Sequence, residues 1–541
     1  MIQTMQRDFA ALSQTTFDVL VIGGGATGAA IALDATQRGL SVALIDKDDF
    51  SAATSAASSK LMHGGLRYLV NGEVALVREG LRERRAWLRM AKHLVRPLPF
   101  LLPTYRDRMK SKGIVRLGLL AYDLLSFGRN SGMDVMQRLP SYRSLNIAQS
   151  LGLMPHLDQE DMTGGMIYHD AQMLSPERLC LAMVRTAMQA GAVAVNYAQA
   201  VDIQSDNGRV SGVKVKDRLS RKTATISAQC VVNATGPWAD LVMQEALDAE
   251  PPKKLVRSKG IHFITRDVTR GTALAIPIGD EHLFVLPWQG KSLFATTDTQ
   301  FDGNPDRVSV TKSDIASLLD KANSALPGLD LKASDIIYAY AGLRPLVADP
   351  ASPQQGTYGL SRGSEIVDHG SSGGPVGLIS ALGGKWTTSL RLGEEIVDLV
   401  VAHLGHEAPP CRSRDTLLSC TPRENLTDFM DHMRDQFSDI ATDKIDFLSR
   451  LYGLLLPDVM GEKPAALKAL RDPLLAARVH FAVAHEMAVQ LEDVVLRRLI
   501  EGQTGELSAR QIETIAAYMA DALGWTEAQT QRQLKTVQQA V

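Results

Sequence analysis

The chain has 541 residues, 45% of them hydrophobic and 22% charged, which is enough apolar material for two or three packed domains. A net charge of −2 implies no polyelectrolyte partner, so no nucleic acid binding is expected. Residues 1–16 lack the basic start and apolar segment of a secretory signal, and no apolar run approaches the roughly 20 residues that span a bilayer, so the expected location is the cytoplasm or a membrane surface.

The first informative stretch is the apolar run Val19 to Ile22, which enters Gly23-Gly24-Gly25-Ala26-Thr27-Gly28 and then a helix read over Ala29 to Arg38. Gly23, Gly25 and Gly28 stand in G-x-G-x-x-G order. One glycine makes a tight turn, one admits backbone close to a pyrophosphate, and one lets helix pack on strand. Gly39 stops the helix, Ser41 to Ile45 reads as a second strand, and Asp46 follows Gly23 by 23 positions. An acidic side chain there can accept hydrogen bonds from a ribose. The pattern predicts a dinucleotide held on a helix N-terminus.

A loop of small polar residues from Asp49 ends in Ser58 to Leu69, which reads Ser-Ser-Lys-Leu-Met-His-Gly-Gly-Leu-Arg-Tyr-Leu. This run, downstream of the glycine fingerprint, resembles the signature of the FAD-dependent, respiratory glycerol-3-phosphate dehydrogenases. The resemblance implies FAD as cofactor, sn-glycerol 3-phosphate as substrate, dihydroxyacetone phosphate as product and a membrane quinone as acceptor. It places Ser58, Ser59, Lys60, His63 and Gly64 at the cofactor.

Residues 78–116 carry twelve basic against three acidic side chains, a net +9, leaving −11 for the rest. Glu79 to Ala91 reads as an amphipathic helix with Leu81, Trp87 and Leu88 inward, and Pro97 to Pro103 as extended chain. Basic residues near anionic headgroups contribute about 1 kcal/mol each. The segment, with the apolar Leu117 to Leu125 after it, is therefore a candidate lipid surface, and the peripheral membrane members of the resembled family favour that reading. They imply a cytoplasmic protein resting on the inner face of the cytoplasmic membrane.

Further on, Asn207-Gly208 marks a hairpin. Val201 could set backbone against an adenine, as in flavoproteins of this superfamily. The strand Cys230 to Asn233 ends at Thr235-Gly236, which resembles a second FAD contact. Strands are read at Ser258 to Ile264, Leu283 to Trp288 and Leu293 to Asp298, with alternation that puts one face on a core and one on a cavity. Val376 to Thr388 repeats the strand and glycine-turn logic through Gly383-Gly384-Lys385, ahead of a helix from about Thr388 to Leu404. Beyond residue 407 the pattern is helical, with Ser508 to Gln511 as a capping box and Ile512, Ile515, Met519 and Leu523 on one face.

The fold class is thus α/β plus α+β. It comprises an FAD-binding Rossmann-like domain of the glutathione-reductase/D-amino-acid-oxidase type, an inserted mixed-sheet substrate domain and a C-terminal α-helical domain. The expected boundaries are 15–75, 165–255 and 345–406 for the FAD domain, 76–164 and 256–344 for the substrate domain, and 407–541 for the last. Expected cofactor positions are Gly23, Gly25, Ala26, Thr27, Gly28, Asp46, Lys47, the loop residues named above, Val201, Thr235, Gly236, Gly383, Gly384, Lys385 and Thr387.

Oxidising a phosphorylated secondary alcohol requires a phosphate anchor, a proton acceptor and a hydride acceptor. Arg67, Arg344, Arg362 and Lys385 are the candidate anchor, since guanidinium forks suit phosphate and all four match positions lining the family's active site. His63 and His262 are both candidate bases. Two alternatives keep the motifs: an oxidase reoxidised by dioxygen, and a dehydrogenase of another polyol phosphate. A homodimer is left open.

Overall fold

The computed structural model describes residues 4–540 apart from 70–71, 108–110, 248–254, 279–280, 348–362 and 462–463. Two sheets organise the first four hundred residues. The eight-stranded sheet runs Ser364–Asp368, Leu378–Gly383, Thr223–Asn233, Thr16–Ile22, Val42–Ile45, Val193–Val195, with Ala198–Asp206 and Arg209–Asp217 as a hairpin off Thr223–Asn233. Its four pairings along Leu378–Gly383 to Val193–Val195 are parallel, and such strands are covered on both faces, which is why they read as unbroken apolar runs.

Helix Ala26–Gln37 lies on one face, against Pro176–Gln189 and Ser389–Leu404. Its alanines permit close packing, and Gly393 reaches its backbone so nearly that a Cβ there would stand 3.1 Å from the Ala30 carbonyl carbon. The helix begins at Ala26, three residues before the expected start, because Gly25 already serves as an extended N-cap. Asn207 and Gly208 both take positive φ, 51° and 75°, as the two-residue hairpin requires.

The ten-stranded sheet is built on Leu255–Arg266, Lys291–Ala295, Glu281–Trp288, Ala273–Ile278, Val95–Tyr105 and Met162–Met173, with Tyr338–Val347 paired to Leu255–Arg266. Residues alternate between two faces along Leu255–Arg266. Ile261 and Phe263 enter a core with Leu274, Val285, Phe294 and the helix Lys312–Ala325, while Gly260 and His262 face a cavity. The expected domain limits need correction here. Leu61–Met62 and the part of Met162–Met173 from residue 165 on, read as parts of the FAD domain, pair within this second sheet, so the loop carrying Ser58 to Gly64 crosses from one sheet to the other.

The basic run is also not what its composition implied. Arg84 is buried against Asp170, Arg85 donates to the Ser131 carbonyl, Arg89 pairs with Asp415, Lys92 is held by Asp134 and the Glu424 carbonyl, and Arg96 donates to Gln172. These charges serve internal contacts between distant segments. Arg78, Arg82, Arg106 and Arg116 stay exposed. Beside them the helix Lys112–Leu125 shows solvent an apolar face of Ile114, Leu117, Leu120 and Leu124, continued by Phe127, which is 92% exposed. Among the described residues no helix is long and apolar enough to cross a membrane.

From Leu426 onward the chain is helical: Leu426–Gln436 and Thr442–Tyr452 share the main core with Val77, Trp87 and Leu418, and from Leu467 a separate core forms around Val479, Leu491, Val495, Ile515 and Met519. Ser508 and Gln511 form the capping box. This domain is locked to the first sheet by buried ion pairs. Asp49 accepts from Arg498 at 2.6 and 3.0 Å and from Arg497 at 3.1 Å, and Glu486 pairs with Arg178 at 3.1 Å. Burial alone would raise the Asp49 carboxyl, but Arg498 and Arg497 outweigh it and hold it below the ordinary value.

Candidate active site

The glycine turn closes tightly on its neighbours. A Cβ on Gly28 would stand 1.8 Å from the Gly23 carbonyl oxygen, and one on Gly23, at φ 107°, would stand 2.5 Å from that of Ala234. The turns after Thr16–Ile22 and Thr223–Asn233 therefore touch at the point where successive connections leave the sheet in opposite directions, the position where open α/β sheets bind ligands. A cavity of about 350 Å³ opens there, lined by Gly23, Gly25, Ala26, Thr27, Asp46, Lys47, Val201, Thr235, Gly236, Gly383, Gly384 and Lys385.

Several features of this cavity fit a dinucleotide. Asp46 accepts from the Gly24 amide at 2.6 Å and the Asp48 amide at 2.9 Å, while burial pushes its carboxyl up to about 7 despite those bonds. A bulge between Ala200 and Asp202 drops Val201 from the ladder, freeing its backbone toward the cavity. Lys47 pairs with Asp306 and lies 4.2 Å from the Trp238 ring centroid at the rim. Gly236, Gly383 and Gly384 hold positive φ at the turns facing the cleft.

A second cavity of about 790 Å³ adjoins the first and shares Thr54, Pro345, Gly384, Lys385 and Trp386 with it, so the cleft is continuous from the glycine turn to the second sheet. This chamber gathers Ser58, Ser59, His63, His262, Arg344, Lys385 and Thr387. Arg344 is framed by the Ser258 hydroxyl at 2.9 Å, the Thr296 hydroxyl at 2.8 Å and the Thr297 carbonyl at 3.2 Å, with Asp298 at 4.0 Å. Its guanidinium rests over Gly260. Lys385 Nζ lies 4.3 Å from the Tyr68 ring centroid.

His262 is 3% exposed. Its Nε2 meets the Ser59 hydroxyl at 3.0 Å, and its ring stacks on Tyr340 at 4.8 Å between centroids. Burial, then the charges of Arg344 and Lys60, hold it well below the ordinary histidine value, so the ring is neutral. His63 is half-buried in the same chamber. Gly64 donates its amide to Asp170 at 3.0 Å, and Thr387 accepts from the Trp87 indole at 3.1 Å. Arg67 has its backbone in the turn Leu66–Leu69, but its side chain, like all of Arg362, lies outside the described residues.

Lys60 requires a correction. Expected at the cofactor, its side chain turns away from both cavities and is fully buried against Glu177, Gln503 and Trp288. Sequence reasoning also missed Gly260, two positions before His262, and Tyr340, which donates to the Ser58 carbonyl at 2.8 Å. The first had a local signal, a glycine inside an alternating strand. The second had none.

Residues 18–399 match the family described as FAD dependent oxidoreductase, and residues 414–530 match the C-terminal domain of alpha-glycerophosphate oxidase. A glycerol-3-phosphate dehydrogenase of Synechocystis sp. is 34% identical, covering 98% of this chain and 97% of the relative. One of Mycobacterium leprae is also 34% identical, over 96% and 87%. Among solved structures, the glycerol-3-phosphate dehydrogenase of Bacillus halodurans complexed with FAD superposes with a TM-score of 0.80 at 29% identity, covering 98% of this chain and 95% of that one. The fold and the double glycine cleft are those of an FAD-dependent oxidoreductase. Within that class, the chain belongs to the FAD-dependent glycerol-3-phosphate dehydrogenase family.

Proposed function

We propose that this protein oxidises sn-glycerol 3-phosphate to dihydroxyacetone phosphate and passes the electrons to a membrane quinone. The observation that carries the reading is one chamber holding a framed arginine, a lysine and a neutral histidine where the glycine cleft meets the second sheet. FAD, when bound by the glycine turns, Asp46 and Val201, supplies the acceptor for the hydride from C2.

The chain's own residues do the rest. Arg344 and Lys385 bind the phosphate dianion, with Arg67 and Arg362 as further anchors, and the Ser258, Thr296 and Thr297 frame leaves the guanidinium little freedom to lose on binding. Truncating one such anchor costs about 2–5 kcal/mol. The Ser59 and His262 pair receives the hydroxyl proton, which ends on Nε2. A ring already neutral needs no prior deprotonation, and stacking on Tyr340 keeps its orientation. Lys385, at the turn shared by both cavities, adds positive charge where electrons accumulate.

The acceptor reading rests on the exposed face of Lys112–Leu125. The chamber extends to Ile114, Val115, Leu117 and Gly118 on that same helix, so an apolar acceptor has an apolar approach. Exposed Arg78, Arg82, Arg106 and Arg116 suit an anionic lipid surface on the cytoplasmic side. Mixing FAD-loaded protein with glycerol 3-phosphate without oxygen should bleach the flavin, and lack of bleaching would sink the reading. Reoxidation by quinone in vesicles, against peroxide release in air, decides the acceptor.

A further inference from the structure

The loop from Ser58 to Lys60 is held at three successive residues. Tyr340 donates to the Ser58 carbonyl at 2.8 Å, Ser59 Oγ meets His262 Nε2 at 3.0 Å, and Lys60 Nζ lies 5.2 Å from the Tyr340 ring centroid. Lys60 itself has a left-handed backbone, φ 58°, which a lysine adopts only under constraint. The constraint is visible. Its carbonyl accepts from the Met173 amide at 2.8 Å, and its side chain, with no solvent exposure, runs inward to a polar socket.

That socket is built by two domains. Glu177, on the helix Pro176–Gln189, stands 3.8 Å from Lys60 Nζ, and Gln503, on the short helix Glu501–Thr504 of the C-terminal domain, accepts from it at 3.4 Å. Gln503 has no freedom to turn, since its amide nitrogen donates to Glu177 at 3.1 Å and to the Leu496 carbonyl at 2.7 Å. The Trp288 ring supplies a further wall, its centroid 4.6 Å from the ammonium. A buried ammonium this costly to desolvate is kept only by such partners.

We infer that Lys60, clamped between Glu177 and Gln503, is a positioning residue that presents Ser59 to His262, so that the C-terminal domain completes the oxidation site. The inference rests on the role proposed above for His262. The charges facing His262 are Arg344, from the strand Tyr338–Val347, and Lys60, with the neutral Tyr340 between strand and ring. Asp298 lies behind Arg344, and Glu177 lies behind Lys60. Both cations disfavour protonation of His262, so removing one raises its midpoint. The ring then fills with protons at a higher pH, and the base is lost there.

The test uses FAD-loaded full-length protein with 13Cε1-labelled histidine. The His262 resonance, assigned by its loss in His262→Asn, is followed from pH 4 to 9 alongside anaerobic flavin reduction by glycerol 3-phosphate. In Lys60→Met the His262 midpoint should rise by at least about one unit, and the acid limb of the reduction rate should move with it, about tenfold per unit. Lys60→Arg keeps the charge and should restore the original titration. Gln503→Leu, which removes the clamp while leaving Lys60 in place, should move the midpoint part of the way, and it carries the same test if Lys60→Met fails to fold. An unmoved His262 midpoint in folded Lys60→Met or Gln503→Leu overturns the inference. Wild-type protein whose flavin does not bleach would instead refute the substrate reading, while the histidine titration still decides the part played by Lys60.

Discussion

The guanidinium of Arg344 lies across the bare backbone of Gly260: a Cβ placed there would stand 2.2 Å from Nη2 and 2.7 Å from Cζ. The two residues sit on paired strands, with Gly260 opposite Gly342 and Arg344 opposite Ser258. Gly260→Ala should therefore push Arg344 out of its Ser258 and Thr296 frame without touching the FAD cleft. The expected outcome is a loss of about 10- to 100-fold in kcat/KM, carried mainly by KM, or about 1.4–2.7 kcal/mol. FAD content and the visible flavin spectrum should be unchanged. Steady-state kinetics beside a flavin:protein ratio checks both. Arg344→Lys should lose at least as much, because an ammonium cannot replace the planar fork.

At the other end of the cleft the conflict would be with backbone rather than with a side chain. Gly28 faces the Gly23 carbonyl at a distance that no rotamer change can relieve. Gly28→Ala should force the helix Ala26–Gln37 away from the turn and abolish FAD retention. Purified protein should be colourless, and a yellow variant with a normal flavin:protein ratio would contradict the assignment.

These two sites show where sequence reasoning reaches and where it stops. The glycine turn, the alternation through Gly260, Ile261, His262 and Phe263, and the capping box at Ser508 are written in neighbouring residues, so pattern and spacing exposed them. The environment of Lys60 is not local. Its partner Gln503 is 443 residues away, and nothing in Ser-Ser-Lys-Leu announces a side chain turned inward. The basic run misled for the same reason. Arg84 and Lys92 look like surface charge until Asp170, Asp134 and the Glu424 carbonyl are brought against them by the fold.

The docking of the C-terminal domain should depend on acid. Asp49 and Glu486 are both held below their ordinary values, burial being outweighed by Arg498 and Arg497 for the first and by Arg178, Arg185 and Arg498 for the second. A carboxyl depressed in the folded state adds stability that is fully present above its unfolded value, near 3.8 for Asp49 and 4.5 for Glu486, and is lost as pH falls through the lower folded value. Tm should therefore be insensitive to these groups near neutrality and fall steeply below about pH 4. Asp49→Asn leaves two buried guanidinium groups poorly compensated and should cost about 3–5 kcal/mol at pH 7. Its deficit relative to wild type should shrink on acidification. A deficit constant from pH 7 to pH 3 would show that Asp49 acts by packing rather than by charge.

The exposed apolar face of Lys112–Leu125 has the chemistry of a lipid contact. Leu124 and Phe127 are 68% and 92% exposed and lie outside the chamber, so they are free to enter a lipid surface without disturbing oxidation. Fully burying side chains of this size contributes about 1.5–3 kcal/mol each, more than an exposed arginine adds near anionic headgroups. The double variant Leu124→Gln, Phe127→Ser should float poorly with vesicles of phosphatidylglycerol and phosphatidylcholine, with membrane affinity down at least about tenfold. Anaerobic bleaching by glycerol 3-phosphate should proceed at the wild-type rate, while turnover with quinone embedded in the same vesicles falls. Raising salt should weaken what binding remains, because the surviving contribution from Arg78, Arg82, Arg106 and Arg116 is screened. If flotation and quinone turnover match the wild type, this face is not the membrane contact and the acceptor reaches the flavin by another route.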